Sequence, residues 1–197
     1  MLKTTIKTER PILFTEELVR AILAGRKTVT RRPYKGPSEN YMIETRRQKY
    51  PAITELYKDV ARSSGIHVSR CPYGFIGDKL YVRETFCIVE NEQPAPYPLR
   101  SVFRATTPIQ DRDKYTWKPS IHIPKDIARI WLEITDLRLE PIQDITEDEA
   151  KAEGVGKHLK TGSYRDLFRD AWSTLYSQEQ WEENRLVWVI KFRKIAI

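Results

Sequence analysis

The chain has 197 residues, 40% of them hydrophobic and 31% charged, which is enough apolar material for a real core. Its net charge of +7 and pI of about 9.4 favour a polyanionic or phosphate-bearing partner. No apolar run approaches a membrane span, the first ten residues carry no signal-peptide core, and Cys71 and Cys87 form no Cys-x-x-Cys, so the expectation is a cytoplasmic protein with reduced thiols and no membrane partner. His67 and Cys71 lie four apart but lack a second ligand pair, so no metal and no cofactor is expected. Five Trp, ten Tyr and six Phe fill cores and also stack on bases.

In chain order, Pro11–Phe14 predicts a first strand. Thr15 is an N-cap, Glu16 and Glu17 suit a first helical turn, and Leu18, Val19, Ile22 and Leu23 repeat at helical spacing up to Gly25, so a helix is predicted over Glu16–Ala24. Gly25–Arg32 follows, with four cations and two hydroxyls in its last seven residues. Bare cations in this density favour anion contact by Arg26, Arg31 and Arg32, and Lys27 near Thr30 is the minimum for a base and a nucleophile. The alternative is a solvated basic turn. A strand over Thr28–Arg32 would put Lys27 and Thr30 on opposite faces unless residues 26–28 form a turn or bulge.

Residues 34–76 are polar and irregular, with a possible helix over Ala52–Arg62, and are predicted to be an insertion over the main body. Lys79–Val89 alternates as a strand with Leu80, Val82, Phe86 and Ile88 on one face. Glu84 falls on that same apolar face, where it either lines a cavity and holds substrate or is ion-paired with an arginine. Residues 90–116 are a second irregular insertion with a strand at Ser101–Ala105. Trp117–Pro124 is held extended by two prolines and presents Trp117 and His122, both candidates for contact with a nucleic acid.

Arg129–Glu140 alternates as a strand whose apolar parity switches between Ile134 and Leu137, as in a bent strand of a small barrel. Thr146 and Glu149 form a capping-box pattern for a helix over Glu147–Glu153, which Gly154 ends. Glu153 then sits in the last turn, where the helix dipole disfavours an acid. Tyr164–Tyr176 predicts an amphipathic helix with Leu167, Phe168, Ala171, Trp172 and Leu175 inward, and Leu186–Ile195 a central strand. Met1–Lys35 holds nine Lys/Arg against three Glu, while Asp136–Glu153 holds two against seven acids. The two segments are expected to face each other across a cleft.

Four segments together resemble the ASCH family of the PUA-like superfamily: Ile22–Arg31, Gly77–Thr85, Ile145–Gly154 and Val187–Phe192. Cys71-Pro72-Tyr73-Gly74 and Trp117–Pro124 are similar to a phage and prophage morphogenesis-type branch, and with them the resemblance covers almost the whole chain. It implies an α+β fold, a small PUA-like β-barrel flanked by helices, in a single domain over 1–197 with the two insertions, and a cleft for RNA or a nucleoside. Small bacterial members of the family are amidohydrolases that deacylate N4-acetylcytidine. Matched by position, their lysine, threonine and glutamate fall on Lys27, Thr30 and Glu153. The resemblance thus implies that Thr30 attacks the acyl carbonyl with Lys27 as base, while Glu153 protonates the leaving amine or orients the substrate. The rival expectations are a non-catalytic RNA- or modified-base-binding module and, third, a ribonuclease using Lys27 and His122. Oligomeric state is not legible.

Overall fold

The computed structural model of the protein describes residues 8–36, 41–44, 67–89, 100–156 and 162–196. The expected helix over Ala52–Arg62 lies outside these residues. Strand β1 (Glu9–Leu13) leads into helix α1 (Glu16–Leu23), where the Thr15 hydroxyl accepts from the Leu18 amide. Gly25, at φ +70°, turns the chain out of the helix, as a left-handed cap requires. Strands β2 (Val29–Pro33), β3 (Tyr41–Glu44), β4 (His67–Arg70), β5 (Lys79–Arg83), β6 (Phe86–Val89), β7 (Arg100–Phe103) and β8 (Trp131–Pro141) follow, then helices α2 (Glu147–Ala152), α3 (Tyr164–Tyr176) and α4 (Gln178–Glu182), and strand β9 (Leu186–Ile195).

The fold is α+β. Five strands form one sheet in the order β1-β5-β8-β9-β2, parallel only between β1 and β5, and β3–β4 and β6–β7 form two separate ribbons. The described ladders do not close a barrel, but the sheet is strongly curled. In a flat sheet β1 and β2 would stand about 19 Å apart, four spacings of ~4.8 Å. Instead Arg32 on β2 reaches across and donates to the Leu13 carbonyl at the end of β1 at 2.6 Å. The concave face carries Ile12, Phe14, Leu80, Val82, Leu132, Ile134, Leu137, Trp188, Ile190 and Phe192, against which α1 packs Val19 and Ile22. A second core lies on the other face, where Val29, Val187 and Val189 meet Ala150 of α2 and Phe168 and Trp172 of α3.

The parity switch in β8 is a bulge. Ile134 pairs with Phe192 but Asp136 pairs with Lys191, leaving Thr135 as the extra residue. Leu137 is thereby kept on the concave face, and Asp136, Arg138 and Glu140 are turned toward α2. Three expectations need correction. Lys79–Val89 is two strands, because the chain leaves the main sheet at Glu84, whose carboxylate is held by Arg129, and Phe86 starts the β6–β7 ribbon. The strand expected at Ser101–Ala105 ends at Phe103 and gives way to a 3-10 turn. In α3 only Phe168 and Trp172 are buried; Leu175 is 58% exposed, since the sheet covers a narrower stripe of the helix than its apolar residues span. With Leu167 and Ala171, Leu175 lines a cleft toward α1 instead.

Candidate active site at the Lys27–Glu153 pair

Lys27 lies before β2, not in it. The Arg26 and Lys27 amides both donate to the Ala21 carbonyl, at 2.9 and 3.2 Å, and the Thr28 amide donates to the Ala152 carbonyl at 2.9 Å. This turn joins the end of α1 to the end of α2, and strict strand alternation therefore does not govern Lys27. Gly154 fits against it: a Cβ there would come within 2.8 Å of the Lys27 Cβ and 2.9 Å of the Ala21 Cβ.

The Lys27 ammonium, 2% exposed as a residue, donates to the Glu153 Oε2 at 2.7 Å and to the Glu153 and Val29 carbonyls at 2.8 Å each. Burial lowers its pKa, opposed by Glu153 and reinforced by Arg32 and Arg31. Glu153 is the C-cap of α2, which explains how a carboxylate tolerates the negative end of a helix: a buried ammonium shares its position.

Arg31, on the helix-facing side of β2, gathers the other acids. Its guanidinium donates to Glu140 and Glu149 at 2.5 Å each and to Glu153 at 3.3 Å. Arg138 continues the chain to Glu140 at 2.8 Å, Glu149 at 2.7 Å and Asp136 at 3.3 Å, and Lys191 reaches Glu149 at 3.4 Å. The basic and acidic segments do face each other, in direct contact rather than across an open cleft. Burial raises the Glu149 pKa, but hydrogen bonds from Arg138 and Arg31 outweigh it and hold the carboxyl below its usual range. The Thr146–Glu149 capping box is only half formed: the Thr146 hydroxyl accepts from the Glu149 amide, but the Glu149 carboxylate is spent on the two arginines.

Thr30 and Arg32 occupy the opposite, concave side of β2, opposite Ile190 and Trp188. Thr30 is buried, and no hydrogen bond holds its hydroxyl among the described residues. Phe14 ties the two sides together, with the Lys27 ammonium 5.4 Å and the Arg32 guanidinium 5.2 Å from its ring centroid. Arg32 also donates to the Tyr176 hydroxyl at 3.2 Å and stands 5.9 Å from the Tyr73 ring. Burial raises the Tyr73 pKa, with Arg32 opposing, so its phenol stays protonated.

The remaining candidates are dispersed. Arg26 is exposed. Arg31 is not available to an anion, because three carboxylates surround it. Glu84 accepts a two-pronged pair of bonds from Arg129 at 2.8 Å, so the ion-pair alternative holds. Trp117 is half buried, its indole donating to the Arg112 carbonyl and its ring packed on Tyr115. His122 is exposed, and Lys27's three acceptors do not include it. Sequence reasoning missed Phe14, Glu149, Tyr73 and Tyr176. The acidic segment's charge signalled Glu149 collectively; nothing local marks the three aromatics.

No family model matches the chain, and no curated protein matches it. Two solved structures resemble it at a distance. One is a hypothetical protein, PH0355, at 11% identity and a TM-score of 0.39, covering 95% of this chain and all of that one. The other is protein EF3133 from Enterococcus faecalis V583, described as DUF984, at 11% identity and a TM-score of 0.42, covering 98% of this chain and 79% of that one. Neither likeness says what this chain does.

Proposed function

We propose that the protein is an ASCH-type, PUA-like amidohydrolase that removes the acyl group from an N4-acylated cytidine or a related modified nucleoside. One observation carries this reading: a lysine and a glutamate 126 residues apart, each almost fully buried, meet at 2.7 Å just before the strand that carries the buried Thr30. Transfer of one proton along that bond converts ammonium and carboxylate into amine and carboxylic acid, the forms a base and an acid need. Desolvation, which depresses the Lys27 pKa, favours that neutral pair.

In the proposed reaction the Thr30 Oγ1 attacks the acyl carbonyl and gives its proton to Lys27. The carbonyl–nitrogen bond breaks, Glu153 protonates the departing exocyclic amine, and an acyl ester remains on Thr30. Water then cleaves the ester, one of its protons passing to the Thr30 Oγ1 and the other leaving with the carboxylic acid, and proton transfer along the Lys27–Glu153 bond restores the neutral pair. Glu140, Glu149 and Arg138 hold Arg31, and through it the Glu153 carboxylate, in place. The curled sheet supports the barrel-like reading, and we place the reaction in the cytoplasm.

Rapid-quench peptide mass mapping with N4-acetylcytidine tests this. The expected result is a transient acetyl group on the peptide containing Thr30, absent in Thr30→Ala, with release of cytidine and acetate. Release without acetylation of that peptide, or no release by the wild-type protein, contradicts it. A binding module without chemistry is the second reading, favoured by the cation-lined cleft around Arg32.

A further inference from the structure

β2 is the last strand of the sheet, so one of its edges has no neighbouring strand. Two bonds fix which backbone groups face that edge. The Phe192 amide donates to the Thr28 carbonyl at 2.9 Å, and the Tyr34 amide to the Leu186 carbonyl at 3.1 Å. In the antiparallel β2–β9 ladder, Thr30 and Arg32 therefore exchange their backbone bonds with β9, while Val29, Arg31 and Pro33 turn theirs to the open edge. The Val29 carbonyl there accepts from the Lys27 ammonium at 2.8 Å, and Pro33 has no amide hydrogen. The Arg31 amide has no hydrogen-bond partner among the described residues, although Arg31 is only 3% exposed. Buried amides are nearly always paired, so a free one next to the nucleophile calls for a role. β1 does not seal this edge: among the described residues no backbone bond joins it to β2, and the Arg32 side chain makes the contact.

We propose that the Arg31 backbone N–H is the oxyanion donor of the Lys27 site, an inference that rests on the amidase reading of that site. The Thr30 Cα lies between the Val29 carbonyl and the Arg31 amide, which point the same way from successive peptide units ~3.3 Å apart along the strand. Thr30 thus has the proton acceptor on one side, Lys27 at the Val29 carbonyl, and a free donor on the other. As the bond from the Thr30 Oγ1 to the acyl carbon forms, the carbonyl π pair moves onto oxygen, and the Arg31 N–H donates to that oxygen. The pair returns as the carbon–nitrogen bond breaks and Glu153 protonates the amine. The neighbouring cations are committed elsewhere. Lys27, once protonated, has its three hydrogens on Val29 and Glu153, and the Arg31 guanidinium is held by Glu140, Glu149 and Glu153. That grip also fixes the peptide from which the Arg31 N–H projects, so the donor is in position before substrate arrives. The Arg32 amino groups reach Leu13 and Tyr176, which leaves its Nε as the rival donor.

The test keeps every side chain and removes one N–H. A full chain is assembled by ligation at Cys71, with a synthetic 1–70 segment that carries an ester in place of the Thr30–Arg31 amide. It is compared with the all-amide chain made the same way, at matched circular dichroism. In hydrolysis of N4-acetylcytidine the ester chain should lose about 10²–10³-fold in kcat, the scale of one oxyanion donor, with KM unchanged. Equal kcat in the two folded chains overturns the inference and leaves the amidase reading standing. No turnover by the all-amide chain ends the amidase reading, and the inference with it. A second measurement does not depend on the ester chain folding. Wild-type protein labelled with nitrogen-15 is titrated with methylboronic acid, whose boron takes the place of the acyl carbon on Thr30. The Arg31 amide proton should move downfield and exchange more slowly with solvent deuterium, and Thr30→Ala should show neither change. An Arg31 amide unmoved by the boronic acid, or a shift of the Arg32 Nε proton in its place, overturns the inference.

Discussion

An ammonium has three protons to donate, and Lys27 gives one each to the Val29 carbonyl, the Glu153 carbonyl and the Glu153 carboxylate. Such a group is costly to strip of its partner. Glu153→Gln leaves the Lys27 charge buried and removes one contact of Arg31, so a loss of about 3–5 kcal/mol is expected in urea unfolding. Lys27→Met should cost less, because Arg31 still faces Glu153. The sign of the pH effect follows from the lowered Lys27 pKa. Between that value and 10.5 the unfolded chain holds more protons than the folded one, so Lys27's contribution to stability rises with pH across that window. The hydrolysis rate, which needs the one proton shared by Lys27 and Glu153, should fall as pH rises through the same lowered pKa, where that proton is lost, and not near 10.5. At this scale the sequence carried Lys27 and Thr30 in one basic run and marked Glu153 as an acid at an unfavourable helix end, while only the resemblance joined Glu153 to them. Arg31 looked like a phosphate ligand because its three acids lie more than a hundred residues away.

Between elements, the β8 bulge and the Gly154 turn build the site. A slip of one residue turns every side chain of a strand to the other face. Deleting Thr135, the extra residue, causes no such slip: Asp136 should still pair with Lys191, Arg138 and Glu140 should stay on the α2 side, and the cooperative thermal transition in circular dichroism should survive; its loss would contradict the bulge. Gly154→Ala and Gly25→Ala form a matched pair. Both replace a glycine at positive φ, at +80° and +70°, at a conformational cost of about 1–2 kcal/mol. Only at Gly154 does the new Cβ strike Lys27 and Ala21; at Gly25 it meets open space. Melting should show the Gly154 variant to be the less stable, and only that variant should shift the pH dependence of the reaction. The parity switch of β8 was legible because Ile134 and Leu137 break the alternation. The break between β5 and β6 was not, because Leu80, Val82, Glu84 and Phe86 keep one parity straight through it. The curl of the sheet was legible only as an expected barrel; its visible agent, Arg32 on the Leu13 carbonyl, is a long-range contact that periodicity does not report.

Across the whole molecule, Lys27 and Arg31 of the basic N-terminal segment are neutralised inside the fold by Glu140, Glu149 and Glu153 of the acidic segment. The net charge of +7 is therefore expressed elsewhere on the surface, including the cleft around Arg32. Acid should loosen the fold through Glu149. Its folded pKa lies below the unfolded value of 4.5, so its stabilisation is complete above 4.5 and is lost as pH falls through the lowered folded value. Urea midpoints taken from pH 7 to pH 3 should decline mainly below 4.5, and Glu149→Gln should flatten that decline. The direct measurement of the central claim is cytidine release from N4-acetylcytidine, followed by ultraviolet absorbance, for the wild-type and Lys27→Ala proteins side by side, with matched circular dichroism spectra to establish that both are folded. The Lys27–Glu153 account predicts turnover by the wild type and a loss of at least about a hundredfold in the variant, the scale of acid–base catalysis. Equal turnover by the two folded proteins, or none by either, would contradict it.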